Sequence, residues 1–161
     1  EAYGDRMIPS QDLEGMRSPE RLGRKTGKGF YVFPKEKKSK ERLAGDLSRF
    51  QKSNTAGSLS DEQIIDRLVL SMVNEASRCL EENVVSGPQE LDLATVFGTG
   101  FAPFTGGLLH YADKLGASEI LKRLQDIRTS KDIAGRPGGE TKFTPADLLV
   151  EMSKNGSRFF S

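Results

Sequence analysis

The chain has 161 residues, of which 35% are hydrophobic, and its 24 Lys and Arg against 23 Asp and Glu give a formal net charge of +1. The balanced charge argues against a dedicated nucleic-acid or anionic-membrane surface, and the length allows one ordinary domain with a tail. One cysteine, Cys79, leaves no partner for an internal disulfide, and the sequence has no run near the roughly 20 apolar residues of a membrane span.

A short motif near the start of the chain recurs at its end. Residues 25–31 read KTGKGFY and residues 154–160 read KNGSRFF, so that Lys, a small polar residue, Gly, two variable positions and two aromatics follow in one order. Pro9 to Met16 and Pro145 to Met152 form a matching approach to the two copies. We therefore expect the tail of one repeat in residues 1–33, a linker in 34–60 and a complete second copy in 61–161, in a piece of a longer protein.

Residues 34–60 are predicted to form the linker because they are charged or small and polar. The run from Pro34 to Arg42 is rich in Lys, and Ser53 to Ser60 offers little apolar surface to bury. A solvated connector is the favoured interpretation of the Lys run, and contact with a phosphate or nucleotide is the alternative.

A long amphipathic helix is predicted from about residue 61 to residue 83. Ser60 and Gln63 have the spacing of a capping box, and Gly87-Pro88 then ends this helix and starts a short one. The apolar stripe of the long helix is predicted at Ile65, Leu68, Met72, Ala76 and Leu80, and it is widened by Ile64, Val69, Val73 and Cys79. The short helix carries Leu91, Ala94 and Phe97.

A tight loop is predicted over residues 98–107, which are too rich in Gly and Pro for regular structure. Phe101 and Phe104 are expected to anchor this loop in the core. Further helices are predicted from Leu108 to a stop at Gly116, from a cap at Ser118 to Ile127, and, after a flexible loop over 129–142, from Thr144 to Gly156. Since no stretch alternates as a strand, the predicted fold class is all-α.

The residues by themselves offer no catalytic constellation. His110 is the only histidine and has no metal-ligand partner at a suitable spacing, while Cys79 falls on the packed stripe of the long helix. The glycines lack the strand and spacing of a dinucleotide fingerprint. Asn74 and Glu75 are expected to form a buried hydrogen-bond pair with the nearby Gly-Pro loop, or else to lie in an interface. No metal, cofactor or catalytic residue is therefore expected in this chain.

The chain resembles the C-terminal region of L-3-hydroxyacyl-CoA dehydrogenases in multifunctional fatty-acid oxidation proteins. Residues 23–31 are similar to the segment that closes the dehydrogenase C-terminal domain, and 61–161 to its degenerate second copy. The positions that carry the resemblance of the second copy are Ile65-Asp66-Arg67, Val73 to Ala76, Cys79 to Glu81, Asp92, Gly98, Gly100, Phe101, Pro103, Phe104, Gly106, Gly107, Tyr111, Asp113 and Gly116.

The resemblance implies a helical fold, and a parent enzyme that uses NAD to oxidise L-3-hydroxyacyl-CoA to 3-ketoacyl-CoA in β-oxidation, with enoyl-CoA hydratase as a possible fusion. It implies that the NAD domain and the catalytic His and Glu lie outside this chain. Asp66 occupies the position of an active-site Asn, and Asp donates no such hydrogen bond unless protonated. The implied structural and interface residues are Asn74, Glu75, Gly98, Gly100, Phe101, Pro103, Phe104, Gly106, Gly107, Tyr111 and Asp113.

The resemblance also implies partners: the first C-terminal copy and the NAD-binding domain of the parent chain, with acyl-CoA as the parent's substrate. The apolar face of the helix from Ile65 to Leu80 is expected to take part in that packing, and weak self-association of this chain is expected. The alternative is a free-standing helical interaction or acyl-CoA-binding module. Since the start lacks a signal-peptide pattern and the end is not a peroxisomal address, a bacterial cytoplasm is the expected location.

Overall fold

The structure is a computed structural model, and it describes residues 3–9, 11–34, 40–50 and 59–160. The chain divides into two compact units, one of residues 1–6 and 58–161, here called the helical unit, and one of residues 7–57, here called the hairpin unit. Most of the described residues are helical. The mainly helical class predicted from the sequence is thus confirmed at this coarse level.

The hairpin unit contains the only two strands of the described residues. Strand β1 (Tyr31–Val32) pairs antiparallel with β2 (Arg42–Leu43), so that Tyr31 lies opposite Leu43. Helix α1 (Gln11–Met16) packs against a 3-10 helix at Leu47–Phe50. These strands were not predicted.

Part of the segment predicted as a linker is regular structure. Residues 42–43 form β2, and the Ala44 amide donates to the Phe30 carbonyl at 2.9 Å. The low apolar content predicted an unordered connector, but backbone hydrogen bonds and ion pairs at Asp46 hold this part. Residues 35–39 and 51–58 lie outside the described residues, and the division into repeat copies stays a prediction.

The helical unit is a bundle around one apolar core. Its helices are α2 (Asp61–Glu81), α3 (Pro88–Thr99), α4 (Leu108–Leu115), α5 (Ala117–Arg128), α6 (Gly139–Phe143) and α7 (Asp147–Asn155). A 3-10 helix at Pro103–Thr105 precedes α4, and α7 packs on α5 and α2. The fully buried apolar side chains come from α2, α4, α5 and α7: Leu70, Val73, Leu109, Ile120, Leu124 and Leu149.

Most predicted helix boundaries agree with the structure. The capping box is present, since Ser60 Oγ accepts from the Gln63 amide and the Gln63 side chain accepts from the Ser60 amide. Pro88 opens α3 and Gly156 ends α7 in the left-handed conformation. The local signals at these ends are strong enough to act without tertiary help.

Three local predictions were wrong. Gly98 belongs to α3 rather than to a loop, and α6 occupies the end of the predicted flexible loop. Ser118 is no cap, because α5 already begins at Ala117 directly after Gly116 and has no side-chain cap. A Ser near a helix start caps it only when it lies at the residue before the first turn.

The predicted apolar stripe of α2 is buried in its later turns but not in its first turns. Ile65 and Leu68 are 52% and 62% exposed, whereas Val73 and Ala76 are buried as predicted, together with Leu70, and Met72 and Leu80 pack against the core. The helix has apolar residues on more than one face, and the positions of α4, α5 and α7 decide which face is covered. None of the described helices combines the length and apolar character that crossing a membrane requires.

Candidate functional site

The glycine-rich segment and its neighbours form a polar cluster at the start of α4. Asp92, a residue of α3 that is 5% exposed, accepts hydrogen bonds from the amides of Leu109 (2.6 Å) and His110 (3.2 Å). The same carboxylate shares a hydrogen bond with His110 Nδ1 at 2.7 Å. Helix α4 has Gly107 at its N-cap and therefore no capping side chain of its own. Asp92 supplies the acceptor from another helix and joins α3 to α4.

The paired glycines leave the space that this arrangement needs. Gly107 has φ +125°, and a Cβ built there would coincide with the carboxyl group of Asp92. At Gly106, with φ +91°, a Cβ would lie 3.1 Å from His110 Cγ. Both positions combine a left-handed backbone with close contacts, so glycine is required for two independent reasons. Gly100 ends α3 in the left-handed region, while the Cβ position of Gly98 is open and does not require glycine.

The two phenylalanines predicted to anchor the loop behave differently. Phe101 packs on the core and meets the Tyr111 ring edge-on, with ring centroids 6.4 Å apart. Phe104 is 88% exposed, so its predicted core position was wrong. Pro103 starts a single 3-10 turn, and Phe104 within this turn does not reach the core.

The predicted interface residue Asp113 holds the C-terminal residues of the chain. Its Oδ1 and Oδ2 accept from the amides of Phe159 and Phe160, each at 2.9 Å. One helical turn earlier, the His110 ring stacks on the Phe160 ring with centroids 3.7 Å apart. The His110 ring and the Asp113 carboxylate, three residues apart on α4, thus bind the aromatic pair Phe159-Phe160. We call these two side chains the α4 cradle.

Asn74 is buried as predicted, but it binds a different segment. Its side-chain nitrogen donates to the carbonyls of Lys142 and Thr144, and its oxygen accepts from the Ala146 amide at 2.8 Å. The predicted partner, the Gly-Pro loop, is not contacted by these bonds, because α2 runs beside the start of α7. Glu75 does not share the site, since it forms an ion pair with Arg6 at 3.0 Å.

Asp66 is paired with a cation. Arg123 Nη1 lies 3.2 Å and 3.3 Å from its two oxygens. The hydrogen bond that Arg123 donates to Glu119, followed by the charge of Asp66, raises the pKa of Arg123. The neighbouring Arg67 binds Asp132 with two nitrogens, at 2.9 Å and 2.8 Å, which lowers the pKa of that carboxyl. The Asp132 carboxylate is thus held in its charged form by Arg67.

The other candidate groups show no activation. Burial raises the pKa of the Cys79 thiol, which favours the unreactive protonated form. The hydrogen-bond partner of the His110 ring within the described part of the chain is Asp92. Over the same residues, no group of three or more His, Cys, Asp or Glu is placed to hold a metal ion.

The polar side chains of this region bind the backbone. Asp92, Asp113 and Asn74 each accept from main-chain amides of a distant segment. The sequence argument gave Asp92 no role, although a helix start after Gly-Gly with no Ser, Thr, Asp or Asn signals an acceptor supplied from elsewhere. No protein-family model matches the chain.

Proposed function

We propose that this chain is the C-terminal part of a fatty-acid β-oxidation enzyme, and that its own role is packing rather than catalysis. In this proposal the parent enzyme oxidises L-3-hydroxyacyl-CoA with NAD in a bacterial cytoplasm. The helical unit is the second copy of the dehydrogenase C-terminal domain, and the residues before 34 end the first copy. The chain alone is inactive, and its partners are the first copy and the NAD-binding domain.

The observation that carries the packing role is an uncovered apolar row on the first turns of α2. Ile64, Ile65 and Leu68 are 44%, 52% and 62% exposed, although the sequence places them on the same helix as the core residue Val73. A single exposed apolar residue needs no explanation, but three neighbours on one helix face favour a covering partner. This row lies within the helix that the family resemblance assigns to the contact with the first copy.

The chemistry of the polar groups supports the same view. Asp66 forms an ion pair with Arg123. The Asp92 carboxylate is hydrogen-bonded to the start of α4 and to the His110 ring. General acid–base catalysis needs a group within reach of a substrate proton, and these groups already have partners inside the fold. They are suited to fixing the backbone.

An activity assay tests the inactive-alone part of the proposal. The purified chain, mixed with L-3-hydroxybutyryl-CoA and NAD, is expected to produce no NADH above a no-protein blank at 340 nm, while a complete dehydrogenase serves as positive control. Saturable turnover by the chain would require a reacting site within it and would refute the packing-only role.

The natural reading frame upstream of Glu1, checked by the intact mass of the protein in its source, tests the parent assignment. A larger chain with a Gly-rich strand-turn-helix and a His and Glu pair before Glu1 is expected. Addition of that upstream part to this chain should then protect the amides of Ile65 and Leu68 from hydrogen exchange, and Leu68→Lys should reduce the association. Leu93→Lys is the matched control, because Leu93 is similarly exposed at 58% but lies on α3.

A second candidate function, acyl-CoA binding, is favoured by the uneven charge of the chain. Residues 7–57 hold 12 Lys and Arg against 6 Asp and Glu, a formal charge of +6, whereas the remaining residues hold 12 against 17, a charge of −5. A basic unit attracts the phosphates of CoA. Submicromolar CoA binding that is lost when the lysines between residues 35 and 40 are changed to Ser would favour this function over packing.

A further inference from the structure

The two copies of the repeated motif have different surroundings. Gly27 and Gly156 occupy equivalent places in the motif, and both adopt the left-handed conformation, with φ +77° and +73°. Three and four residues later come the aromatic pairs Phe30-Tyr31 and Phe159-Phe160. The two segments therefore share a left-handed glycine at the same place in the motif, although residues 27–31 lead into strand β1 and residues 156–160 follow helix α7.

Among the residues that the structure describes, only the C-terminal pair contacts a receptor. Phe159 and Phe160 are partly buried against the core, and the α4 cradle holds their amides and the second ring. Phe30 and Tyr31 remain 50% and 46% exposed. Leu43, opposite Tyr31 in the hairpin, is 65% exposed and enlarges the apolar patch.

The charge around this patch indicates the chemistry of its partner. The hairpin unit has a formal charge of +6, and Arg24, Lys25, Lys28 and Arg42 lie in or beside the repeated segment and its paired strand. The carboxylates of Glu41 and Asp46 pair with Arg24 and Lys28. A partner that carries carboxylates complements the cations that remain.

We propose that the segment 27–31 is a docking element, and that its partner is a helix that presents a flat ring at position i and a carboxylate at i+3. The α4 cradle, with His110 and Asp113, is the example of such a partner within this chain. This inference rests on the two-copy part of the proposed function, and under that proposal the partner helix belongs to the first copy. The partner is thus defined by its side chains rather than by its name.

A peptide titration tests whether the cradle accepts the first segment. The receptor is the full chain with Phe159→Ala and Phe160→Ala, which removes both rings from the cradle without shortening the chain. Fluorescein-labelled peptides of residues 24–33 and of residues 153–160 are the probes, and the 24–33 peptide with both aromatics changed to Ser is the control. We expect the two native-sequence peptides to bind with dissociation constants within about tenfold of each other, and the control not to bind.

Asp113→Asn in the same receptor is expected to weaken both peptides by about tenfold, because the amide offers a weaker acceptor to the peptide amides. Binding of the 153–160 peptide without binding of the 24–33 peptide overturns the proposal. Binding of the 24–33 peptide that Asp113→Asn leaves unchanged also overturns it, since the contact then lies elsewhere.

A graft in the full chain decides the matter if the double Ala receptor does not fold or binds neither peptide. Ser157→Lys, Arg158→Gly and Phe160→Tyr convert the C-terminal segment to that of the first copy, with Phe159 unchanged. The graft is expected to keep its thermal midpoint within about 2 °C of the parent, whereas Phe159→Ala with Phe160→Ala lowers it by about 5 °C. A graft that melts as low as the double Ala variant overturns the proposal.

The outcomes separate this inference from the proposed function. If a dehydrogenase sequence lies upstream but the first segment does not dock, only the proposed docking element is refuted. Successful docking without a dehydrogenase upstream removes the enzyme assignment and leaves the recognition of an aromatic pair by a ring and a carboxylate.

Discussion

In the helical unit, apolar side chains from α2, α4, α5 and α7 are completely shielded from solvent, whereas the hairpin unit buries one apolar residue, Ala44, among its described residues. The hairpin unit instead gathers Arg21, Lys28 and Arg49 around Asp46. Apolar burial scales with area and is insensitive to salt, while exposed ion pairs contribute little and are screened. The stability of the helical unit should therefore depend mainly on its core volume, whereas that of the hairpin unit should depend on its ion pairs.

Removal of core volume from the helical unit is expected to have the largest effect. Leu109 on α4 is fully buried, so Leu109→Ala should lower the free energy of unfolding by about 2–5 kcal/mol through lost burial and a cavity. Urea unfolding followed by circular dichroism measures this. Leu93→Ala, at a site that is 58% exposed, is the control and should change the stability by less than about 0.5 kcal/mol. Equal effects of the two changes would contradict the assigned core.

A methyl group at Gly107 is the next largest perturbation. Gly107→Ala adds a Cβ where the Asp92 carboxyl lies and also strains the backbone, so a loss of about 2–4 kcal/mol is expected. Gly116→Ala is a matched control, because Gly116 has φ +86° with nothing within 4 Å of the added Cβ. Strain alone should cost about 1–2 kcal/mol there. If both variants lose the same stability by urea unfolding, the Asp92 contact is not the reason for glycine at 107.

Substitutions of Asn74 test how much its buried hydrogen bonds contribute to the stability of the helical unit. Asn74→Ala removes three hydrogen bonds and leaves the buried Ala146 amide without its acceptor, so a loss of about 2 kcal/mol is expected. Asn74→Asp keeps that acceptor but cannot donate to the carbonyls of Lys142 and Thr144. Hydrogen exchange should show faster exchange of the Ala146 amide in Asn74→Ala than in Asn74→Asp. Similar exchange in both variants would mean that the side-chain oxygen is not the important acceptor.

Asp46 tests the hairpin unit, where the effect on global stability is expected to be smallest. Hydrogen bonds from Lys28 and Arg21 hold the pKa of Asp46 well below its ordinary value of 3.8. Because the folded pKa is lowered, this carboxylate contributes stability above about pH 4 and loses it as the pH falls further. Asp46→Asn should therefore lower the protection of the Ala44 amide from exchange at neutral pH. It should also remove the loss of that protection at acid pH.

The helical unit provides the control for this pH experiment. Asp46→Asn should leave the exchange of core amides in α4 and α5 unchanged, since these helices belong to the other unit. Asp126→Asn, at an exposed position of α5, should affect neither amide set. A hairpin amide that exchanges at the same rate in Asp46→Asn and in the parent chain, at every pH, would show that Asp46 does not hold the hairpin.

The sequence predicted the helical unit well because its signals are local. The capping box at Ser60, Pro88 in the first turn of α3 and the left-handed glycine at 156 each act on the residues beside them. The hairpin was missed because its strands are two residues long, which is too short for an alternating pattern to be visible.

The candidate site was predicted only in part for a related reason. The resemblance singled out Gly106, Gly107 and Asp113, but no local pattern of residues indicates what each one contacts. Asp92 lies 17 residues before the Leu109 amide that it caps, and Asp113 lies 46 before the Phe159 amide. Contacts over such separations depend on how helices pack, and no local pattern encodes them.

What the sequence by itself determined is the mainly helical class and most helix ends, because these follow from dihedral preferences and capping within a few residues. The tertiary structure alone decided that the first turns of α2 are exposed, that Phe104 is exposed while Phe101 is packed, and that Asp113 and His110 form a cradle for an aromatic pair. These features depend on which helix surfaces pack together. Burial and long-range hydrogen bonds arise from contacts between segments, so no single segment determines them.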